Sequence, residues 1–347
     1  GTGQGSPILR KGSGFIMKKT LLALALAGIS TSTLAASIYD DGTTAFNIKG
    51  EIDTYLSTAE STTTTGGAAT KTETDLDVDL WAKIQIDATH KLNDSVSAFG
   101  SFEIQNGNGF DGWKGIVNDD NSMQTDDLYF GLNIGENFGI AAGEIGDFGD
   151  SLDAITIDKT NEGLGYMDDF VNSLESAGHA VSLKYTNGGL KLIADTYLSS
   201  NENEDAAYGV SAEYALNEMF TFGASYQDQG NRGLGTDHSI MGVAARLSLG
   251  DFSAAANYVT EDITGASDLD TVSIALDYQI EKVRAYTSIG ATDGDADQEI
   301  NYFTVGADYS VSSNILAFVE YTDAEAVVDN DNKVEGDGFV AGVYYTF

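Results

Sequence analysis

The sequence contains no cysteine, which excludes disulfides, thiolate metal sites and cysteine nucleophiles. Proline is nearly as scarce. The only one is Pro7, so no later strand loses a ladder hydrogen bond to a missing N–H. Cations are few as well: 17 Lys and Arg against 54 Asp and Glu give a formal net charge of −37. Phosphate contacts need clustered Lys and Arg, so nucleic acid is not expected as a partner. Long hydrophobic runs are also missing. The one sustained apolar run, residues 21–29, is far shorter than the roughly 20 residues a membrane helix needs.

That run follows Met17-Lys18-Lys19 and precedes Thr33-Leu34-Ala35-Ala36. A positive start, a short apolar stretch and small residues at a cleavage point read as a secretory signal peptide over residues 17–35. Cleavage is expected after Ala35 or Ala36. Residues 1–16 read as an upstream or vector-derived extension, and residues 36–347 as one folded domain. Arg10, Lys11, Lys18 and Lys19 leave with the leader, and no acid precedes Asp40, so the mature chain is more acidic still.

What the chain has in abundance is alternation. Phe339, Ala341, Val343, Tyr345 and Phe347 fall on one face of a closing strand that stops on an aromatic. Leu76, Val78, Leu80, Ala82, Ile84, Ile86 and Ala88 alternate with Asp75, Asp77, Asp79, Trp81, Lys83, Gln85 and Asp87. A helix would instead repeat its apolar residues at three and four. Segments of this kind recur from Phe46 to the end, and sixteen strands are expected. Tight connections near residues 90–95, 135–137, 187–189, 215–219, 250–251, 280–282 and 310–314 alternate with long polar ones. The long ones are 57–74, 106–126, 147–178, 199–207, 228–239, 261–270, 291–301 and 322–337. The fold class expected is therefore all-β: an antiparallel up-and-down transmembrane barrel with short turns at one end and long loops at the other. In lipid such strands must close, because every backbone group needs a partner.

The closing residues Val343-Tyr344-Tyr345-Thr346-Phe347, the sixteen strands and the long third loop resemble the trimeric general-diffusion porins of gammaproteobacterial outer membranes. The resemblance implies a multi-pass protein of the Gram-negative outer membrane, forming a homotrimer among lipopolysaccharide and outer-membrane lipid. It implies that Phe347 and Tyr345 are read by the barrel-assembly machinery. It also implies that the third loop, residues 147–178, folds inward and narrows a water-filled channel for small hydrophilic solutes. Asp147, Asp150, Asp153, Asp158, Glu162, Asp168 and Asp169 would then form the constriction, with Lys49, Glu51, Lys83, Arg246 and Arg284 on the wall. The family's proline-bearing loop tip is absent; Glu162-Gly163-Leu164-Gly165-Tyr166 stands loosely in its place.

Further lumen acids are expected at Asp53, Asp75, Asp77, Asp79, Asp87, Glu103, Glu213, Asp277, Asp308 and Glu320, outnumbering the cations. Rings of one charge sign set the sign of the permeating ion, so cation selectivity is expected. Tyr55, Trp81, Phe99, Tyr286, Tyr302 and Phe318 are candidates for a ladder on which sugar rings stack. Hence an oligosaccharide-specific channel stays open as an alternative, as does a structural or adhesive barrel. No enzyme, cofactor or metal site is expected. The acidic runs at 293–297 and 329–333 lack the glycine and glutamate of an EF-hand. His90, His179 and His238 are far apart in sequence, and no nucleophile-elbow or phosphate-loop motif occurs.

Overall fold

The computed structural model describes residues 36–106, 109–111, 115–118, 122–146, 148–163, 179–232, 234–266, 268–295, 298–329 and 331–347. The proposed extension and leader, residues 1–35, lie outside them. Sixteen strands form the staves of one closed antiparallel sheet. They are β1 Thr44–Thr65, β2 Ala68–Lys91, β3 Val96–Asn106, β4 Met123–Ile134, β5 Phe138–Glu144, β6 Ala180–Asn187, β7 Leu190–Tyr197 and β8 Ala207–Ala215. They continue with β9 Phe220–Gly230, β10 His238–Leu249, β11 Phe252–Ile263, β12 Leu269–Ile280, β13 Val283–Gly294, β14 Glu299–Ser312, β15 Ile315–Asp329 and β16 Asn332–Thr346. Each stave pairs with the next, and β16 closes the ring on β1 from Lys333 opposite Thr64 to Thr346 opposite Glu51.

Alternation fixes which face meets which medium. Val272 and Ile274 on β12, and Phe339 and Val343 on β16, point outward and are exposed. Their neighbours in sequence, such as Thr271, Ser273, Val340 and Tyr344, are buried on the inside. The polar residues of the second face thus fill the barrel, and the apolar residues form its outer belt.

The end of the chain is built into the seam. Phe347 and Gly50 exchange backbone hydrogen bonds of 2.8 and 2.9 Å. The Phe347 ring lies where a Gly50 side chain would project. Beyond it, the short strand Ala36–Asp40 continues along the same edge of β1, with Ala36 opposite Ile48.

Two connections expected as long loops are strands. Residues 57–74 contain the ends of β1 and β2, joined by a tight turn at Gly66 and Gly67, whose φ of 57° and 76° suit a two-residue hairpin. Residues 322–329 and 332–337 likewise belong to β15 and β16. The 57–74 tips are polar on both faces, which erases the alternation used to detect strands, whereas in 322–337 Ala324 is buried in a small cluster with Tyr302 and Val334. The two tips are tied: the Gly67 N–H donates to the Asp331 carbonyl at 3.0 Å, and the Gly66 N–H to Asn332 Oδ1 at 3.1 Å. Stave height is therefore uneven, with 22 and 24 residues in β1 and β2 against 7 in β5 and 8 in β6 and β7.

Candidate functional site

After β5 the chain does not stand above the barrel. Residues 148–163 run along the inner wall from β6 to β16. The Phe148 ring stacks on Phe99 of β3, with centroids 5.6 Å apart, and Lys184 of β6 donates to the Phe148 carbonyl at 2.5 Å. Asp150 then caps a single 3₁₀ turn, Ser151–Ala154. Its carboxylate accepts from the Leu152 N–H at 2.6 Å, and Asp153 accepts from the Asp150 N–H at 3.1 Å. Asp195 of β7 accepts from the N–H and the hydroxyl of Ser151 at 2.6 and 3.0 Å.

The apolar side of this turn enters a trough. Leu152, Ile155 and Ile157 pack with Ile240 and Ala244 of β10, Ala255 and Val259 of β11, and Ala275 of β12. The wall also holds the main chain of the loop. Ser225 donates to the Ser151 carbonyl at 2.5 Å and Asn257 to the Ile155 carbonyl at 2.8 Å. Arg246 donates to the carbonyls of Asp153 and Thr156 at 3.2 and 2.7 Å.

The second half of the segment is held by polar groups. Lys159 donates to Ser253 and lies 3.4 Å from Asp277. Arg284 of β13 donates to the Lys159 carbonyl at 3.0 Å and to Asn161 Oδ1 at 3.1 Å, while paired with Asp308 at 2.6 Å. Glu320 of β15 accepts the N–H groups of Asn161 and Glu162 at 2.5 and 2.8 Å, and the Tyr286 hydroxyl at 2.7 Å. Tyr344 of β16 donates to Glu162.

Of the acids expected at a constriction, Asp150, Asp153, Asp158 and Glu162 are on this arc; Asp147, Asp168 and Asp169 lie outside the described residues. The four differ in setting. Asp150 accepts from the Tyr197 hydroxyl beside Asp195. Burial, then the charges of Asp153 and Asp195, push its pKa up to about 8. Glu162 is buried on Tyr344. Asp153 and Asp158 are half-buried, as Asp150 is, but Asp158 bonds only locally, accepting from the N–H and hydroxyl of Thr160 at 2.8 Å. Burial lowers the pKa of Lys159.

The expected wall residues fall into two groups. Arg246 and Arg284 lie under the loop as described. Lys49, Glu51 and Lys83 belong to β1 and β2, where Lys49 reaches Asp87 at 3.8 Å and Lys83 reaches Glu103 at 3.2 Å. Glu51 is buried opposite Lys83. The candidate aromatic ladder is flattened. Tyr286 lies over Gly306, Tyr302 over Gly290, Phe318 over Gly342 and Phe99 over Gly131. Tyr55, Trp81, Tyr286, Tyr302 and Phe318 are all buried. His238, expected at a strand start, is fully enclosed there, with 2.9 Å to Gln229 and 2.7 Å to Glu261. Sequence reasoning missed the trough and the grip on the loop backbone. Their signal was present: Gly209, Ser211, Gly223, Ser225, Gly242, Ala244 and Ala255 are small residues on the face otherwise filled by charge.

Comparison with known proteins gives a consistent result. The chain is 24% identical over 364 residues to the outer membrane porin PhoE of Klebsiella pneumoniae, covering 95% of this chain and 100% of that protein. It is 23% identical over 409 residues to a monosaccharide porin of a Halomonas species, with the same coverage. Among solved structures, Salmonella typhi OmpF in complex with daunomycin superposes with a TM-score of 0.64 at 17% identity, covering 90% of this chain and all of that one. OmpT of Vibrio cholerae, solved in a trimer form, gives 0.63 at 15% identity, covering 88% of this chain and all of that one. The Gram-negative porin family description matches residues 20–332. A closed sixteen-stave barrel, an inner loop and a match over nearly the whole length agree: the chain belongs to the Gram-negative porins, multi-pass channels of the outer membrane.

Proposed function

We propose that this porin is a homotrimeric, cation-selective channel for passive diffusion of small hydrophilic solutes, narrowed by its third external loop. One observation carries the selectivity. The cations of the arc, Lys159, Arg246 and Arg284, are turned to wall carboxylates and loop carbonyls. Asp153 and Asp158, half-buried like those cations, form no ion pair among the described residues. The uncompensated charge facing the water is then negative, and in a narrow low-dielectric passage it concentrates cations. Asp147, Glu162, Asp168 and Asp169 add to the same field in this reading, while Lys49, Glu51 and Lys83 line the opposite wall.

The flattened, buried aromatics favour diffusion over an oligosaccharide path, because covered rings offer no face for stacking. The monosaccharide porin among the relatives is in keeping with small solutes. The trimer form of a structural relative supports the assembly state. Phe347 and Tyr345, whose rings lie 5.7 Å apart on the outer face of the seam, are the proposed assembly signal. Secretion through the leader at residues 17–35, and contact with lipopolysaccharide, complete the proposal.

Reversal potentials across a KCl gradient in planar bilayers test it. Strong cation preference is expected in dilute salt, where the screening length is about 30 Å, weakening near 1 M, where it is about 3 Å. Anion preference at low salt would overturn the reading.

A further inference from the structure

The third loop lies deep against the wall at three consecutive staves, and at each a glycine is what lets it in. Gly209 of β8, Gly223 of β9 and Gly242 of β10 all face the lumen. Their register partners there are Gln227 for Gly209, Ala244 for Gly223 and Ser225 for Gly242. A methyl group added at Gly209 would run into the Ser151 side chain. At Gly223 it would run into the Ala154 carbonyl. At Gly242 it would meet Ile155 Cδ1 at 3.0 Å and Val259 Cγ2 at 2.6 Å. At all three, part of the conflict is with one short stretch of the loop, Ser151 to Ile155; at Gly242 the wall residue Val259 is nearer still.

Strand interiors disfavour glycine, which brings no side chain to pack and costs backbone entropy. Three of them on one inner face, each under the same turn, mark a close approach of two backbones. The donors around them reach main-chain atoms: Ser225 binds the Ser151 carbonyl, Asn257 the Ile155 carbonyl and Arg246 two more. The wall therefore holds the loop by its main chain as well as by the side chains of Leu152, Ile155 and Ile157.

We infer that Gly209, Gly223 and Gly242 are positioning residues for the constriction: they set how far the third loop stands out from the wall, and so the free width of the channel. The inference rests on the proposed role of this loop as the narrow point. Adding bulk at these positions pushes the loop inward, while leaving untouched every charge that faces the water. Width and charge selectivity are thus governed by different residues, the first by the wall and the second by the loop.

The test uses the full chain in Gly223→Val, Gly242→Val, Ile155→Ala and the double variant Gly242→Val with Ile155→Ala. Valine is a good strand former, and barrel integrity is read from heat-dependent gel mobility. Unitary conductance and the swelling of liposomes in sugars of graded size are then measured. Gly223→Val and Gly242→Val are expected to lower conductance and to slow larger sugars more than smaller ones, with the reversal potential unchanged. In the Ile155→Ala background the effect of Gly242→Val is expected to shrink, since the loop's share of the obstruction, Cδ1, is gone while that of Val259 stays constant in both backgrounds; a cycle of this kind isolates the pairwise term. Unchanged conductance in assembled variants, or a Gly242→Val effect equal in both backgrounds, would overturn the inference. If Gly223→Val does not assemble, the Gly242 cycle, repeated with Gly242→Ala if needed, decides alone. Wild-type protein that assembles but carries no current would instead defeat the channel reading.

Discussion

The two halves of the inner loop are held by different mixtures of forces. Leu152, Ile155 and Ile157 sit in a trough of small and aliphatic side chains, so the first half adds shape and apolar burial to its hydrogen bonds from Ser225, Asn257 and Arg246. Asn161 and Glu162 are fixed by Glu320, Tyr286 and Tyr344, through directed hydrogen bonds. Burial is non-directional and sets depth; hydrogen bonds to two successive N–H groups set position along the wall. A loop held in only one of these ways would be free to slide or to lift.

The largest expected effect comes from attacking the first half. Ile155→Ala should weaken docking by about 2–5 kcal/mol through the cavity it leaves, and Ile155→Asp by more, since a charge would enter an apolar site. Limited proteolysis and open-channel noise would show the loop released. Wild-type resistance in Ile155→Asp would break the comparison.

A smaller effect is expected at the other end. Glu320→Ala leaves the Asn161 and Glu162 N–H groups without their acceptor, a loss of roughly 1–3 kcal/mol for each buried group. Glu320→Gln, which keeps one acceptor oxygen, should lose less. Cleavage confined to the residues around 161 would sharpen the contrast, whereas release of the whole loop would show that the halves are not separable.

The third expectation concerns pH. Asp150 has its pKa raised to about 8, against an ordinary value of 3.8. A carboxyl raised in this way stabilises docking while it is protonated and loses that contribution as pH rises through about 8. The ionised group would then face Asp153 and Asp195 without a compensating proton, with Tyr197 and the more distant Lys184 the other titratable groups nearby. Channel noise should rise progressively as pH goes from the ordinary value of 3.8 to about 8, level off above it, and stay flat in Asp150→Asn. A pH response that persists in the variant would assign it elsewhere.

The smallest difference separates acids by setting. Asp153→Asn with Asp158→Asn should reduce cation preference at low salt. Asp150→Asn at pH 7 should change it little, because that carboxyl already carries a proton. Equal shifts from both would erase the distinction between structural and field-bearing carboxylates.

Much of this architecture was legible in the sequence. Staves such as β12 and β16 alternate because one face meets lipid and the other the wet interior, and a period of two records that directly. Strand ends such as Thr62–Thr65 were not legible, since with water on both faces the pattern has nothing to record. The loop's acids were legible as a set, but their division was not. Whether Asp150 meets the Tyr197 hydroxyl while Asp158 bonds only to Thr160 depends on which side of a 3₁₀ turn meets the wall, and the small residues that receive it come from staves 50 to 120 positions later. Gly223 reads in isolation as a weak point in a strand; only the Ala154 carbonyl above it gives it a purpose.

The uneven staves have a consequence for anything arriving from outside. With about 3.3 Å per residue, β2 extends roughly 80 Å along its length and β5 only about 23 Å. The four-stranded screen of β15, β16, β1 and β2, braced at its tips, stands on one flank of the mouth. Glu60, Glu73, Asp323 and Asp337 lie side by side across it. A macromolecule settling on this flank of the mouth therefore meets four carboxylates in a row.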